Sequence, residues 1–307
     1  MKKGSKTAAK KTDELLDARQ KRRFQQLNAM ERLLVRKLLD ELRDQLEESN
    51  GRITSRKGYV SLSAAVDRVF DAVEHKGIPG MVDSTTKDIR DLMEFNARYY
   101  KAQNLAPGER FKAIQESVDA AMRKRLGIDT DGVATKDGFL SQLFRTEPAR
   151  DEVKKMVSKA VSAGIPMRKL KAQLQVKVAG TKETAGVLER HIGTFVMDTY
   201  QAADAITNQE FAKRLDLRYF IYSGGLIETS REFCRKRNNK VFSTDEAAEW
   251  ESDPTLPRTK AERDSGVVTD YVPLQDRGRW NCRHRILYIT EEEAMLRRPD
   301  LEHKVKA

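Results

Sequence analysis

Cysteine is scarce in this chain: Cys234 and Cys282 are the only two among 307 residues. Two thiols cannot build the dense disulfide framework of small secreted domains, and a reducing compartment is their simplest setting. Long apolar runs are also missing. No stretch approaches the roughly 18–20 apolar residues of a membrane span, so no span is expected. The N-terminus MKKGSKTAAKKTDELLDARQ is basic without an apolar core, unlike a secretory signal. HExxH, P-loop, GxSxG and GxGxxG motifs do not occur, which removes the commonest signatures of hydrolytic and nucleotide chemistry. No internal repeat at a fixed period is present. Trp280, Tyr271, Trp250 and Phe233 do not alternate with arginine along a strand. They read as core or interface anchors rather than base-stacking platforms.

What is present is charge. The net balance is +11, with 34% charged residues against 39% hydrophobic. A basic chain of this size is expected to seek polyanions, nucleic acid first and an anionic membrane surface second. The first 216 residues hold 41 Lys/Arg and 31 Asp/Glu, whereas residues 217–307 hold 17 and 16. Residues 1–12 carry five lysines and no acid, including Lys2, Lys3, Lys10 and Lys11. Residues 150–182 carry nine basic residues against Asp151 and Glu152, among them Lys154, Lys155, Lys159, Arg168, Lys169 and Lys171. These two segments are the nucleic-acid-binding candidates.

Periodicity predicts long helices. Residues 1–12 read as a flexible basic arm. From Asp13 to Ser49, Leu27, Met30, Leu34, Leu38, Leu42 and Leu46 recur at spacings of three and four, predicting a rod of roughly 55 Å that Asn50–Gly51 stops. Residues 61–75 form a shorter amphipathic helix with Val66, Val69, Phe70 and Val73 on one face, broken at HKGIPG. Helices are expected over 84–103 and 108–126. GIDTDGVATKDG is a loop that lacks the glycine and glutamate spacing of a calcium site. After Pro148, Val153, Met156, Val157, Ala160 and Val161 line another helix, and a short one follows Pro166. A last rod of roughly 50 Å runs from Thr181 to about Leu215, with Leu188, Ile192, Phe195, Thr199, Ala203 and Ile206 as its buried stripe.

At Leu217 the character changes. RYFIYSGG, KVFS and RILYIT read as short strands, with a brief acidic helix and a long irregular loop between the last two. The expected class is α+β: an extended, mostly helical N-terminal region followed by a small C-terminal α+β domain. The boundaries are a basic arm 1–12, a helical region 13–180, a connecting helix 181–216 and a domain 217–307.

Both cysteines sit beside arginines, in TSREFCRKRNNKVF and GRWNCRHRILYIT. Cys234, Cys282 and His284 are of zinc-ligand type, with His303 as a distant fourth donor, but neither cysteine belongs to a CxxC knuckle. A disulfide is a second option, and a Cys282–His284 nucleophile a third. The favoured reading is a buried pair of free thiols at the heart of the C-terminal domain, with Phe242 and Trp280 in the same core. No cofactor and no catalytic site are expected. Arg235, Arg237, Arg279, Arg283 and Arg285 would repel one another if the two segments meet, unless they face carboxylates or phosphates. They form either an ion-pair network with the acidic stretch 245–253 or a docking surface.

A family resemblance rests on these same segments. DTYQAADAITNQEFAKRL, YFIYSGG, TSREFCRKRNNKVF, YVPL and GRWNCRHRILYI, in that order, resemble the C-terminal module of phage minor head proteins of the Mu F-like head morphogenesis family. There, a cysteine followed by a GKVF-type strand is answered by an HPNCRC-type motif. Asn238–Asn239–Lys240–Val241–Phe242 and Asn281–Cys282–Arg283 match. Arg279–Trp280 replaces the His–Pro, and His284 stands where the family has a second cysteine. The likeness covers about residues 185–290. It implies a non-enzymatic virion component of the phage head, present in the host cytoplasm during assembly. Such a protein associates with the portal protein and double-stranded DNA, with capsid or scaffolding protein as further partners, and assists head assembly or DNA delivery. The alternative is an intracellular nucleic-acid-processing enzyme with a Cys/His/Arg site.

Overall fold

The computed structural model describes residues 4–56, 58–280 and 282–301; of residues 4–13, 15, 16, 194, 195, 197 and 198 the backbone alone is described. In chain order the elements begin with α1 (Gly4–Gln45), β1 (Leu46–Ser49), β2 (Arg52–Ser55), α2 (Tyr59–Lys101) and α3 (Gly108–Leu126). Next come α4 (Phe139–Leu143), α5 (Glu147–Ser162), α6 (Met167–Val178), a π-helical turn (Glu189–Gly193) and α7 (Thr194–Leu215). The C-terminal part holds β3 (Tyr219–Ser223), α8 (Glu232–Arg237), β4 (Lys240–Ser243), α9 (Thr244–Ala248), α10 (Lys260–Ser265), α11 (Pro273–Asp276), β5 (Arg285–Ile289) and α12 (Glu291–Arg297). The fold is α+β, with long helices first and a few antiparallel strands near the C-terminus.

The chain divides into two compact units. One comprises Arg19–Lys87 and Leu126–Val196; the other comprises Met1–Ala18, Asp88–Arg125 and Met197–Ala307. The boundaries expected at 180 and 216 do not separate them. Residues 88–125 and α7 belong with the C-terminal strands, because those strands need helical cover for their apolar faces.

In the unit built on residues 19–87 and 126–196, the expected stripe of α1 is buried from Leu27 to Leu42, while Leu46, expected on the same helix, is buried as the first residue of β1. The helix is longer at its start than expected. Residues 4–12, expected as a flexible arm, belong to α1, where alanine and lysine are favourable helix formers. Lys2 and Lys3 lie outside the described residues, as do the side chains of Lys10 and Lys11. At the other end, Asn50 and Gly51 adopt φ of 50° and 70° and join β1 to β2. Asn–Gly there forms the two-residue hairpin turn that requires positive φ at both positions, rather than a helix cap.

One expected break is absent and one helix start is displaced. α2 is one helix of 43 residues, continuous through Pro79. Buried Val66, Phe70 and Val73 before the proline and Met81, Ile89 and Leu92 after it hold both halves on course, at the cost of one backbone hydrogen bond. The last rod starts late. Thr181 to Ala185 are non-helical, with the Thr181 hydroxyl accepting the N–H groups of Glu183 and Thr184. Such local side-chain bonds compete with helix formation. Leu188, Ile192, Thr199, Ala203 and Ile206 are buried as expected; the side chain of Phe195 lies outside the described residues.

α5 is fastened to α2 by charge. Arg150 reaches Asp67 at 3.3 Å and Asp71 and Glu74 at 2.7 Å, and Lys154 reaches Asp67 at 2.6 Å. Val153, Val157 and Ala160 of α5 and Leu170, Leu174 and Val178 of α6 are buried.

In the unit that contains the C-terminal strands, the order is β4–β3–β5, all antiparallel. All five residues of β3 and of β5 are buried, because both faces of the sheet are covered. Tyr219, Ile221, Val241 and Ile289 pack with Ala294 of α12 and with Leu301. Phe220 and Tyr222, one residue out of phase, face Trp250 instead. The β5 carbonyl of Tyr288 accepts hydrogen bonds from Tyr99 and Gln103 near the C-terminus of α2.

Candidate functional site

The two cysteine segments meet. Cys234 comes from α8, Cys282 from the loop before β5, and their sulfurs stand 3.9 Å apart. That separation is that of two free thiols, not of a disulfide. The Tyr222 hydroxyl on β3 lies 3.4 Å from the Cys234 sulfur and 3.5 Å from that of Cys282. His284, one residue before β5, stacks its ring on Tyr222 with centroids 4.9 Å apart. One ligand atom each from Cys234, Cys282 and His284 fits within 4.8 Å of the others, and all three residues are buried. The Nε2 atom of His284 is buried without a hydrogen-bond partner among the described residues.

Gly278 makes the approach possible. A Cβ there would come 2.5 Å from the Cys234 sulfur and 3.2 Å from that of Cys282. Its neighbours Arg277 and Arg279 adopt φ of 52° and 61°, a left-handed conformation costly for residues with a Cβ. Arg231 donates to the Gly278 carbonyl at 2.8 Å and ties this loop to the start of α8.

The hydrogen bond from Cys234, with smaller help from His284 and Arg277, holds the Cys282 thiol well below its ordinary value. The same hydrogen bond, with burial, pushes Cys234 up. Burial and then the two sulfurs push the Tyr222 hydroxyl far up, so it is a neutral phenol.

Of the four expected core residues, Cys234 and Cys282 are buried and Phe242 is half-buried against Trp250, 5.5 Å between ring centroids. Trp280 is not in the core. It is 42% exposed and lies under the Arg279 guanidinium, 4.2 Å from the ring centroid. Trp250 is the central aromatic instead, meeting Phe220, Tyr222, Phe233 and Phe242 edge to face. His303 lies outside the described residues.

The five arginines do not form one docking surface. Arg237 pairs with Asp253 and stacks on Phe233. Arg279 makes a two-pronged bond to Glu262 at 2.7 and 2.8 Å, which holds that carboxyl far below its usual range. Arg285 is buried against Asp204 of α7 and donates to Asn96 of α2 at 2.8 Å. Arg235 donates to the backbone carbonyls of Ile227, Glu228 and Ser230, and Arg283 is exposed. Mutual repulsion is relieved by separate carboxylates, of which Asp253 alone comes from the expected acidic stretch.

Sequence reasoning missed the buried polar network beneath β5. Asn96 donates to Asp204 at 2.9 Å, and Asn208 accepts from Tyr100 at 2.8 Å. The available signal was Asp204, Thr207 and Asn208 standing on a helix among buried alanines and isoleucine. A polar group is retained in such a place when it has partners.

The basic candidates sort by partner. Lys154 is engaged by Asp67. Lys155 and Lys159 on α5 and Arg168, Lys169 and Lys171 on α6 are exposed, with no carboxylate at salt-bridge distance among the described residues.

No known protein family, curated protein or solved structure matches this chain. Among the described residues, no helix is long and apolar enough to cross a membrane.

Proposed function

We propose that this protein is a minor head component of a bacterial virus, bound to the portal protein and to packaged double-stranded DNA, with capsid or scaffolding protein as further contacts. It acts by binding during head assembly or DNA delivery, in the host cytoplasm and then in the virion. The observation that carries the reading is the convergence of the segments quoted for the Mu F-like resemblance: α7, β3, the Cys234 helix, β4, the stretch Tyr271–Leu274 and the Cys282 turn all belong to one compact unit. The exposed cations of α5 and α6 supply a second support, since unpaired surface cations attract phosphate without reading sequence.

The enzyme alternative has less support. A substrate must reach its nucleophile, and Cys234, Cys282 and His284 are all buried. No observation at this site favours it.

The test has two arms. Filter binding to DNA at several salt concentrations should give a steep salt dependence. Exchanging Lys155, Lys159, Arg168, Lys169 and Lys171 for glutamine should cut affinity at least about tenfold near 0.1 M salt and flatten the slope by several units. The coding sequence should lie beside genes for a portal and a capsid protein, and the neighbouring portal should co-purify with this chain. Unchanged DNA retention in the variant defeats the electrostatic claim, and no portal association defeats the assignment to the head.

A further inference from the structure

The thiol cluster has the geometry of a closed metal site. For a tetrahedral zinc ion with Zn–S near 2.3 Å and Zn–O or Zn–N near 2.0–2.1 Å, two sulfurs should stand about 3.8 Å apart and a sulfur and an oxygen about 3.5 Å apart. The sulfurs of Cys234 and Cys282 are 3.9 Å apart, and the Tyr222 oxygen is 3.4 and 3.5 Å from them. Three corners of the tetrahedron are thus in place. His284 is the last donor: a ring nitrogen lies within 4.8 Å of the sulfurs, so the ring closes in on binding, and among the described residues its buried Nε2 has no hydrogen-bond partner.

We propose that Cys234, Cys282, His284 and Tyr222 bind one zinc ion as a structural site that locks the Cys234 helix and the Gly278–Cys282 turn onto β3. On binding, each sulfur coordinates as a thiolate and its proton passes to solvent. The Tyr222 phenol likewise loses its proton to solvent as its oxygen joins the ion, so two thiolates, a phenolate and a neutral imidazole leave one negative charge on the centre, with the Arg277 guanidinium near enough to act on Cys282. The mixed sulfur and nitrogen donor set in tetrahedral array suits zinc over calcium or magnesium, which require oxygen cages. Burial of all the donors makes the centre structural rather than catalytic. Tyr222, Cys234 and the Cys282–His284 pair come from three separate stretches of the sequence, and no paired CxxC knuckles announce the site.

The inference stands apart from the head-protein reading, because its readout is metal content rather than DNA or portal binding. The full chain, purified with reductant, stripped with chelator and dialysed against zinc chloride, should retain one equivalent of zinc. Cobalt chloride in its place should produce thiolate-to-cobalt charge-transfer absorption and the strong d–d bands of a tetrahedral ion. Cys282→Ser and His284→Ala should hold less than a tenth of an equivalent. Should these fail to fold, Tyr222→Phe decides, since it removes one donor and keeps the ring: it should fold and bind zinc at least about tenfold more weakly. A thiol reagent should find both cysteines blocked with zinc and reactive after chelation. Wild-type protein without zinc and without the cobalt absorption overturns the proposal, as does equal zinc in wild type and Cys282→Ser. Zinc affinity unchanged in Tyr222→Phe removes Tyr222 from the ligand set.

Discussion

Glu31 shows how one side chain can make stability depend on pH. It is fully buried on α1, accepts the N–H of Glu189 at 2.8 Å, and lies so close to Gly186 that a Cβ there would overlap its carboxyl group. Burial raises its pKa to about 7, against smaller lowering by the N–H groups of Glu189 and Leu188. The folded value exceeds the ordinary 4.5, so the folded state holds the proton more tightly. The resulting stability is complete below about pH 4.5 and is lost as pH rises through about 7. Glu31→Gln keeps a neutral group there. Urea unfolding should place the variant about 2 kcal/mol above wild type at pH 8 and close to it at pH 5. A second residue-scale prediction concerns Asp204, the buried partner of Arg285. Asp204→Ala strands a guanidinium in the interior and should cost about 3–5 kcal/mol by the same measurement. Met30 and Leu34 on either side of Glu31 were legible as core from their spacing. Glu31 was not, because its burial depends on a glycine 155 positions away.

At the scale of elements, a local pattern reports faces better than ends. Leu27 to Leu42 of α1, Val153, Val157 and Ala160 of α5, Thr199, Ala203 and Ile206 of α7 and the three strands YFIYS, KVFS and RILYI stand where periodicity puts them, whereas Met156 and Val161 of α5 are only half-buried. Pro79 and Asn50–Gly51 were misassigned because each residue type serves more than one local role. Asn–Gly closes a hairpin as readily as it ends a helix, and the choice falls to whether Ile53 finds a buried place on β2. Proline interrupts a helix unless tertiary packing on both flanks outweighs the lost bond. Pro79 is exposed, so its ring contributes little to that packing. Pro79→Ala should therefore restore a hydrogen bond at small cost and raise the thermal midpoint, by about 1 kcal/mol or more in stability. A lower midpoint would show that the proline shapes the path of α2 in a way the packing needs. The thiol cluster was legible in part. Cys234, Cys282 and His284 are recognisable as ligand types, but Tyr222 looks like any strand tyrosine until the sheet places it against both sulfurs.

For the molecule as a whole, the α+β class and the uneven charge were readable from composition and order, while the division into units was not. Residues 88–125 lie more than ninety positions before the strands they accompany, and no local signal marks them as companions. The pairing of Asn96 with Asp204 and Arg285 is the physical reason they belong together. Hydrogen exchange on Asp204→Ala gives the corresponding prediction. Amide protection should fall across α7, β3 and β5, while α5 and α6 in the other unit keep theirs. Loss of protection across both units at once would show that they unfold together.

The position of β5 in the chain has an outcome for synthesis. β3 lies between β4 and β5, and its second partner is encoded more than sixty residues after it. While a ribosome is still producing those residues, β3 has one flank bare and Asp204 awaits its guanidinium. A transcript or nonsense allele that stops short of Arg285 thus yields a sticky, half-made sheet with an uncompensated charge inside it, fit for aggregation or proteolysis.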